Sequence, residues 1–542
     1  MPMRGWRAGV ALCATLLVPL ALHAQTPGPR HLSPESPPGA PSAGAVRTAD
    51  GLVSGAVLPG GVRTFRGIPF AAPPVGPLRW QPPQAARPWR GVRDGTRFGP
   101  QCMQRPIYSD MVFRSDGMSE DCLVLNVWTP AARASRPRPV LLYFYGGGHA
   151  AGDGSELRYD GASLARHGIV VVTANYRLGV FGFLAHPELT RESPHHASGD
   201  YGLLDQVAAL EWVRRNVAAF GGDPRRITIG GESAGSESVS ALMASPLSRR
   251  LIAGAIGESG AMIYPTFAPV SLDSAERCGV AFADSAGASS LAALRALPAE
   301  SLLAVTGRPG NGAFPAVVDG WFLPEPPTAV FVSGRGARVP LLAGWNTEES
   351  GWRGLLLSSG PTPENYAAAV HRVFGAYGDS ILAILPATAV ADVEEQGRLL
   401  AGATFVSYAT WKWAELQAHD GQRVYRYLYA HPRPAPKVPG PSPPPTAAVH
   451  SAEIEYALGN LATNDVYPWT ADDDSVSATM EAYFANFVKR GNPNGGGLPA
   501  WPASTPESAR VMTIDVRSHA EPAAHEDLFR LLDRFYTRAP GR

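Results

Sequence analysis

The sequence predicts an α/β protein, one large domain built on a central, mostly parallel sheet. Three observations carry that expectation. Residues 139–145 and 169–175 are strongly apolar, as strands buried on both faces of a sheet are. Residues 201–220 place Leu203, Val207, Leu210, Val213 and Val217 on one face at helical spacing. Apolar runs of strand length then recur at 251–257, 339–345 and 424–429, with helical stretches between them.

Each element follows in order along the 542 residues. Arg4 and Arg7 precede an apolar run over 8–22 that ends in Leu22-His23-Ala24. A charged start, a short apolar core and a small residue at the cleavage position predict a secretory signal peptide over 1–24. Residues 25–44 are Pro-rich and predict a tether that cannot bury a core. The catalytic domain is expected over 45–542. It opens with hairpin-like strands around 51–67, set off by Gly-rich turns. Helical inserts at 261–338 and 361–417 interrupt the strand rhythm and are expected to cap the site. No internal repeat is visible.

Composition narrows the class. A hydrophobic share of 45% against 17% charged residues is globular, so a sizeable core can form. Lys plus Arg and Asp plus Glu both number 47, which removes the broad basic field a nucleic-acid partner needs. No later run is long and apolar enough to span a bilayer, so no stable membrane span is expected after signal cleavage. Cys102 and Cys122 flank a short polar loop, the pattern of a structural disulfide in an oxidising compartment. Cys278 has no evident partner and reads as a small buried hydrophobe with a reduced thiol. These features together predict an exported protein, periplasmic or extracellular.

The chemistry centres on Ser233. The β-branched run Ile227-Thr228-Ile229 leads into Gly231-Glu232-Ser233-Ala234-Gly235, the G-x-S-x-G order of a sharp strand-to-helix turn that lifts one hydroxyl clear of a sheet. A serine hydroxyl is a weak nucleophile and needs a base, an orienting acid and an oxyanion hole. The strand over 139–145 runs directly into Gly146, Gly147 and Gly148, whose amides could meet a developing oxyanion together with that of Ala234. The absence of a following Lys-Ser/Thr argues against a phosphate cradle. An acid is expected just past a strand end, where Glu348 and Glu349 stand side by side. His371, His419, His431 and His450 lie downstream as candidate bases. His450 is favoured by its place on a loop entering a helix.

These residues resemble the type-B carboxylesterases, the α/β-hydrolase family that also contains the cholinesterases. The likeness runs from Gly67-Ile68-Pro69-Phe70 through Ser119-Glu120-Asp121-Cys122, Tyr145-Gly146-Gly147-Gly148 and Asn175-Tyr176-Arg177-Leu178 to Gly491-Asn492-Pro493-Asn494. The resemblance implies a Ser233–Glu349–His450 triad that hydrolyses carboxylic esters through an acyl-enzyme. It implies oxyanion donors at Gly147, Gly148 and Ala234, a Cys102–Cys122 disulfide, and supports at Glu232 and Ser259. It implies neither metal nor organic cofactor, and a small-molecule ester as substrate. A related amide, lactone or carbonate substrate, or a non-catalytic binding relative, are the alternatives; the substrate and the oligomeric state stay open. Two departures stand out. His149 replaces the usual aromatic after the glycines, predicting a more polar rim. Val112 and Phe113 lie where the cholinesterases carry a cation-binding tryptophan, which argues against a choline ester.

Overall fold

A computed structural model describes residues 30–31, 42–130, 135–438 and 445–538. The expected signal peptide lies outside the described residues, as does most of the tether. The tether's Arg30–His31 nevertheless pairs in parallel with Val112–Phe113, and the first strand of the main sheet begins at Ser42 rather than after residue 44.

Among the described residues the main sheet has thirteen strands. Twelve lie on one continuous path, labelled here in chain order: β1 (Ser42–Arg47), β2 (Leu52–Val57), β3 (Arg63–Pro69), β4 (Val124–Thr129), β5 (Arg138–Phe144), β6 (Val170–Ala174), β7 (Gly222–Glu232), β8 (Gly254–Glu258), β9 (Leu341–Asn346), β10 (Val424–Tyr429), β11 (Arg510–Ile514) and β12 (His519–Pro522). Their spatial order is β12-β11-β10-β9-β8-β7-β5-β6-β4-β3-β2-β1, and Val92–Asp94 pairs alongside β2. From β6 to β11 every neighbouring pair is parallel, while β1 to β4 and β12 run antiparallel to their neighbours on that path; Val92–Asp94 lies parallel to β2. The split follows composition. The central strands bury both faces under helices, whereas β1, at the edge, alternates and leaves Ser42, Gly44, Ala45 and Arg47 exposed.

The predicted strands stand within one to three residues, and the predicted hairpin is β2–β3. The expected strand over 251–257 starts later, at Gly254, because residues 248–251 close a turn through the Leu251 amide and the Ser248 carbonyl. The helix Tyr201–Asn216 does bury its five apolar positions, counting Val217 just beyond it. It is more enclosed than an amphipathic reading implies, since only Glu211, Arg214 and Arg215 are exposed along it. Asp205 and Gln206 can be buried there because Arg177 and Ser238 meet their polar atoms.

Two large hydrophobic cores result, beside two small clusters, among the described residues. The larger wraps the sheet and takes in the first insert through Phe282, Leu294, Leu302 and Phe331. The second insert instead builds its own core with the helix Glu526–Arg538, joining Trp345, Tyr366, Leu400 and Trp411 to Phe529 and Leu532. Cys102 and Cys122 are disulfide-bonded. The reduced, buried Cys278 expected from sequence is not found. Its side chain is half-buried on the helix Leu272–Ser285, and its sulfur is disulfide-bonded.

Candidate active site

The site forms where β5, β7, β8 and β9 end together, with Phe144 opposite Gly231, Glu232 opposite Glu258 and Glu258 opposite Gly344. Directly after β7 the chain reverses into the helix Ala234–Ala244, and Ser233 makes the turn at φ 53°, ψ −122°. The flanking glycines are steric necessities. A Cβ on Gly235 would sit 2.1 Å from the Phe144 carbonyl oxygen, and one on Gly231 would lie 2.5 Å from the Gly235 backbone. His149, Ser259 and Ser451 also hold left-handed backbone conformations around this point. Such clustering of strained residues is characteristic of sites where geometry is over-determined by surrounding structure.

Three of the predicted residues meet in a line. His450 Nε2 lies 3.0 Å from Ser233 Oγ, and His450 Nδ1 lies 2.6 Å from Glu349 Oε2. The other oxygen of Glu349 accepts from Ser259 Oγ and from the Asn346 amide, both at 2.6 Å. Of the two adjacent glutamates, Glu349 is the one that meets His450, while Glu348 points away, 3.7 Å from Arg398. Among the other histidines, His371 and His419 are exposed on helices, and His431 is held between Asp473 and Asp515. None of them reaches Ser233.

Gly147 and Gly148 turn with φ of 105° and 63°, and a Cβ on Gly147 would meet the Ala151 carbonyl oxygen at 2.2 Å. The amides of Gly147, Gly148 and Ala234 donate to no protein acceptor among the described residues. They are three unused donors beside Ser233. The departure at His149 has a different outcome from the predicted polar rim. The ring is buried, packs on Phe183 and approaches Ser238 Oγ at 3.0 Å, so it faces the helix after Ser233 instead of the opening. Phe113 is fully buried as well and offers no open face to a cation. The nearby Trp352 already carries the Arg353 guanidinium 4.2 Å from its ring centre.

The surroundings are rich in carboxyl groups. Glu232, Glu237, Glu258, Glu349 and Glu453 are all buried. Glu232 accepts from Ser451 Oγ at 2.5 Å and stands 3.3 Å from His450 Nε2. Burial pushes the Glu232 carboxyl up, against the pull of His450. Burial, aided by Glu232 and Glu349, pushes Glu453 up to about 8. On His450 burial favours the neutral ring, but the charges of Glu232 and Glu349 outweigh it and push the imidazole up to about 10.

Sequence reasoning missed several members. Glu453 takes Asn346 Nδ2 at 2.6 Å and Ser259 Oγ at 3.2 Å, tying the end of β9 to the segment after His450. Its only sequence signal is its place three residues after His450, where an acidic residue reads as an ordinary helix start. Phe405 meets the His450 ring edge-on at 5.1 Å from a π-helical turn, Ala403–Ser407. Thr266 Oγ1 donates to the carbonyl of Thr404 at 2.9 Å and also lies against that of Phe405, carbonyls that such a turn displaces. Among the described residues no group of three or more His, Cys, Asp or Glu is placed to hold a metal ion.

Comparison with known proteins adds the wider context. The model of the carboxylesterase family matches residues 42–369 and 387–529. The chain belongs to the carboxylesterase family. It is 36% identical to fumonisin B1 esterase of Sphingopyxis macrogoltabida over 84% of this chain and 83% of that one. It is 36% identical to human cocaine esterase, over 82% of each. Acylcarnitine hydrolase of Mus musculus is 35% identical, over 85% of this chain and 86% of that protein. This carboxylesterase is therefore a carboxylic ester hydrolase of α/β-hydrolase fold, and no described helix is long and apolar enough to cross a membrane.

Proposed function

We propose that this carboxylesterase hydrolyses small-molecule esters through an acyl-enzyme on Ser233. The observation that carries the reading is the unbroken contact chain from Ser233 Oγ through both nitrogens of His450 to Glu349. In the first half-reaction His450 Nε2 takes the hydroxyl proton as Oγ attacks the ester carbonyl. The tetrahedral oxyanion is received by the amides of Gly147, Gly148 and Ala234. His450 returns the proton to the departing alcohol, then activates a water that releases the acid by the same route. Glu349 fixes the imidazole so that Nε2 faces the serine, and Ser259 with the Asn346 amide fixes Glu349 in turn.

The base works as free imidazole, yet ionised neighbours favour its protonated form. Burial weakens Glu232 and Glu453 as acids, which opposes the charges that favour the protonated ring. The buried carboxyl net thus sets the pH at which the base is available.

The relatives are named for unlike substrates, so they support the reaction class and leave the ester open. The burial of Phe113 and the Arg353 guanidinium on Trp352 support neutral esters over choline esters. We also propose export, with residues 1–24 removed; the Cys102–Cys122 disulfide supports an oxidising destination. Ser233→Ala and His450→Ala are each expected to lower kcat by about 10⁴- to 10⁶-fold on 4-nitrophenyl esters of graded acyl length. A Ser233→Ala protein that keeps a tenth of the parent turnover would overturn the mechanism.

A further inference from the structure

The loop closed by the Cys102–Cys122 disulfide lies over the unused donors. Met111 Cε comes within 3.0 Å of where a Cβ on Gly147 would stand. For Gly148 the single neighbour of such a Cβ within 4 Å is the hydroxyl oxygen of Tyr108, at 3.3 Å. The Gly148 face is otherwise open. The Tyr108 ring packs against Met111, Phe113 and Ala151, and its side chain is half-buried. Its hydroxyl donates to no protein acceptor among the described residues. The hydroxyl is not enclosed by protein, so it can meet a bound molecule without first giving up a protein partner. Here the ring is anchored and the hydroxyl is left for whatever occupies the site.

We propose that Tyr108 is a substrate-positioning residue that donates a hydrogen bond to a neutral oxygen on the alcohol portion of the ester. The inference rests on the reading of Ser233 as nucleophile. The side of the site follows from the proton path. The departing oxygen must lie near His450 Nε2, and Glu232 stands 3.3 Å from that nitrogen. Tyr108 is close enough to Glu232 to feel its charge, as it does those of Asp110 and Glu237. Burial first, and those carboxylates next, push its phenol up to about 12, so it stays a donor across the working range. Asp110, whose carboxyl Arg158 holds below the usual range against the effect of burial, repels an anionic substituent, which leaves ether, hydroxyl and carbonyl oxygens as acceptors. The substrate class is accordingly esters of oxygen-bearing alcohols rather than of plain alkanols.

The test compares isosteric esters on the parent enzyme and Tyr108→Phe. The pairs are 2-methoxyethyl against butyl acetate and 3-methoxypropyl against pentyl acetate. The ether-to-alkyl ratio of kcat/KM is expected to fall about two- to ten-fold in Tyr108→Phe for at least one pair, through KM, with the alkyl esters unchanged. A merely structural role would lower both members alike and leave the ratio where it was; that result overturns the proposal. Methyl methoxyacetate against methyl butyrate places the oxygen in the acyl portion. A fall confined to this pair overturns the assignment to the alcohol side. Ser233→Ala, run beside them, should abolish turnover of every ester, so failure of the nucleophile reading is seen separately.

Discussion

Ser233, Ser259 and Ser451 hold left-handed backbone conformations without being glycine, and each places a hydroxyl in the net around His450. Conformations of this kind persist where neighbours over-determine them. Glu349 and Glu348 illustrate how finely position matters. Glu349→Gln keeps the shape but removes the charge beside Nδ1 and should lower kcat by about 10³- to 10⁴-fold. Glu348→Gln loosens a partly exposed contact to Arg398 and should stay within a few-fold of the parent; the opposite ranking would place the acid at Glu348. A second expectation concerns Glu232. Its negative charge raises the His450 imidazole, so Glu232→Gln should let the ring lose its proton at lower pH. The acidic limb of kcat/KM should move to lower pH, measured on a neutral ester so that substrate charge does not enter. A shift to higher pH would mean that Glu232 acts on the base other than through its charge. At this scale the sequence was readable wherever chemistry demands a residue type: the serine, the glycines, a downstream histidine. The residues alone left two adjacent glutamates open and the family resemblance favoured Glu349; the part played by Glu453 depended on how β9 and the chain after His450 meet.

The turn after β7 works because the helix Ala234–Ala244 begins within one residue of the strand. Gly235→Ala would drive a Cβ into the Phe144 carbonyl, which belongs to rigid β5 and has no room to retreat. We expect a loss of about 3 kcal/mol or more in unfolding free energy by urea titration, accompanied by loss of turnover. The π-helical turn offers a gentler probe. Phe405→Ala removes the edge contact on His450 and should lower kcat about two- to ten-fold without shifting the urea midpoint comparably. The disulfide closes a loop with a sequence separation of 20, a constraint worth about 2–4 kcal/mol to the folded chain. Replacing both cysteines with alanine should lower Tm and raise KM more than it lowers kcat, because the loop carries Tyr108 and Met111 over the opening. Strands and helices were legible from period and apolar content. The late start of β8 was not, since Leu251 and Ile252 are as apolar as any strand residue. The direction of the His149 ring was equally hidden, being decided by Ser238 and Phe183 rather than by its own neighbours in sequence.

Across the whole molecule, the two inserts have different fates. The first adds to the core around the sheet, while the second makes a separate core that the C-terminal helix completes. Ending the chain after Ala524 would strip Leu528, Phe529, Leu532 and Tyr536 from Trp345, Tyr408 and Trp411. Soluble, folded protein should then fall sharply, as size-exclusion chromatography and far-UV circular dichroism would reveal. The inserts were recognisable in sequence as helical. Their docking was not, because two amphipathic segments more than a hundred residues apart give no sign that they share a core. For the export proposal, N-terminal sequencing of protein recovered from outside the cytoplasm is expected to begin near Gln25. An intact Met1 on the exported product would set it aside.

His450 lies 217 residues from Ser233 and 101 from Glu349 along the chain. Those separations are bridged by β8, β9 and β10 being in register, so no fragment ending before the loop after β10 can hold the three groups together. Contacts so distant in sequence form late and slowly as a chain condenses. Turnover is therefore a stringent reporter of completed folding. During refolding from urea, ester hydrolysis should return after the far-UV signal of helices and strands has recovered, with a measurable lag between the two traces.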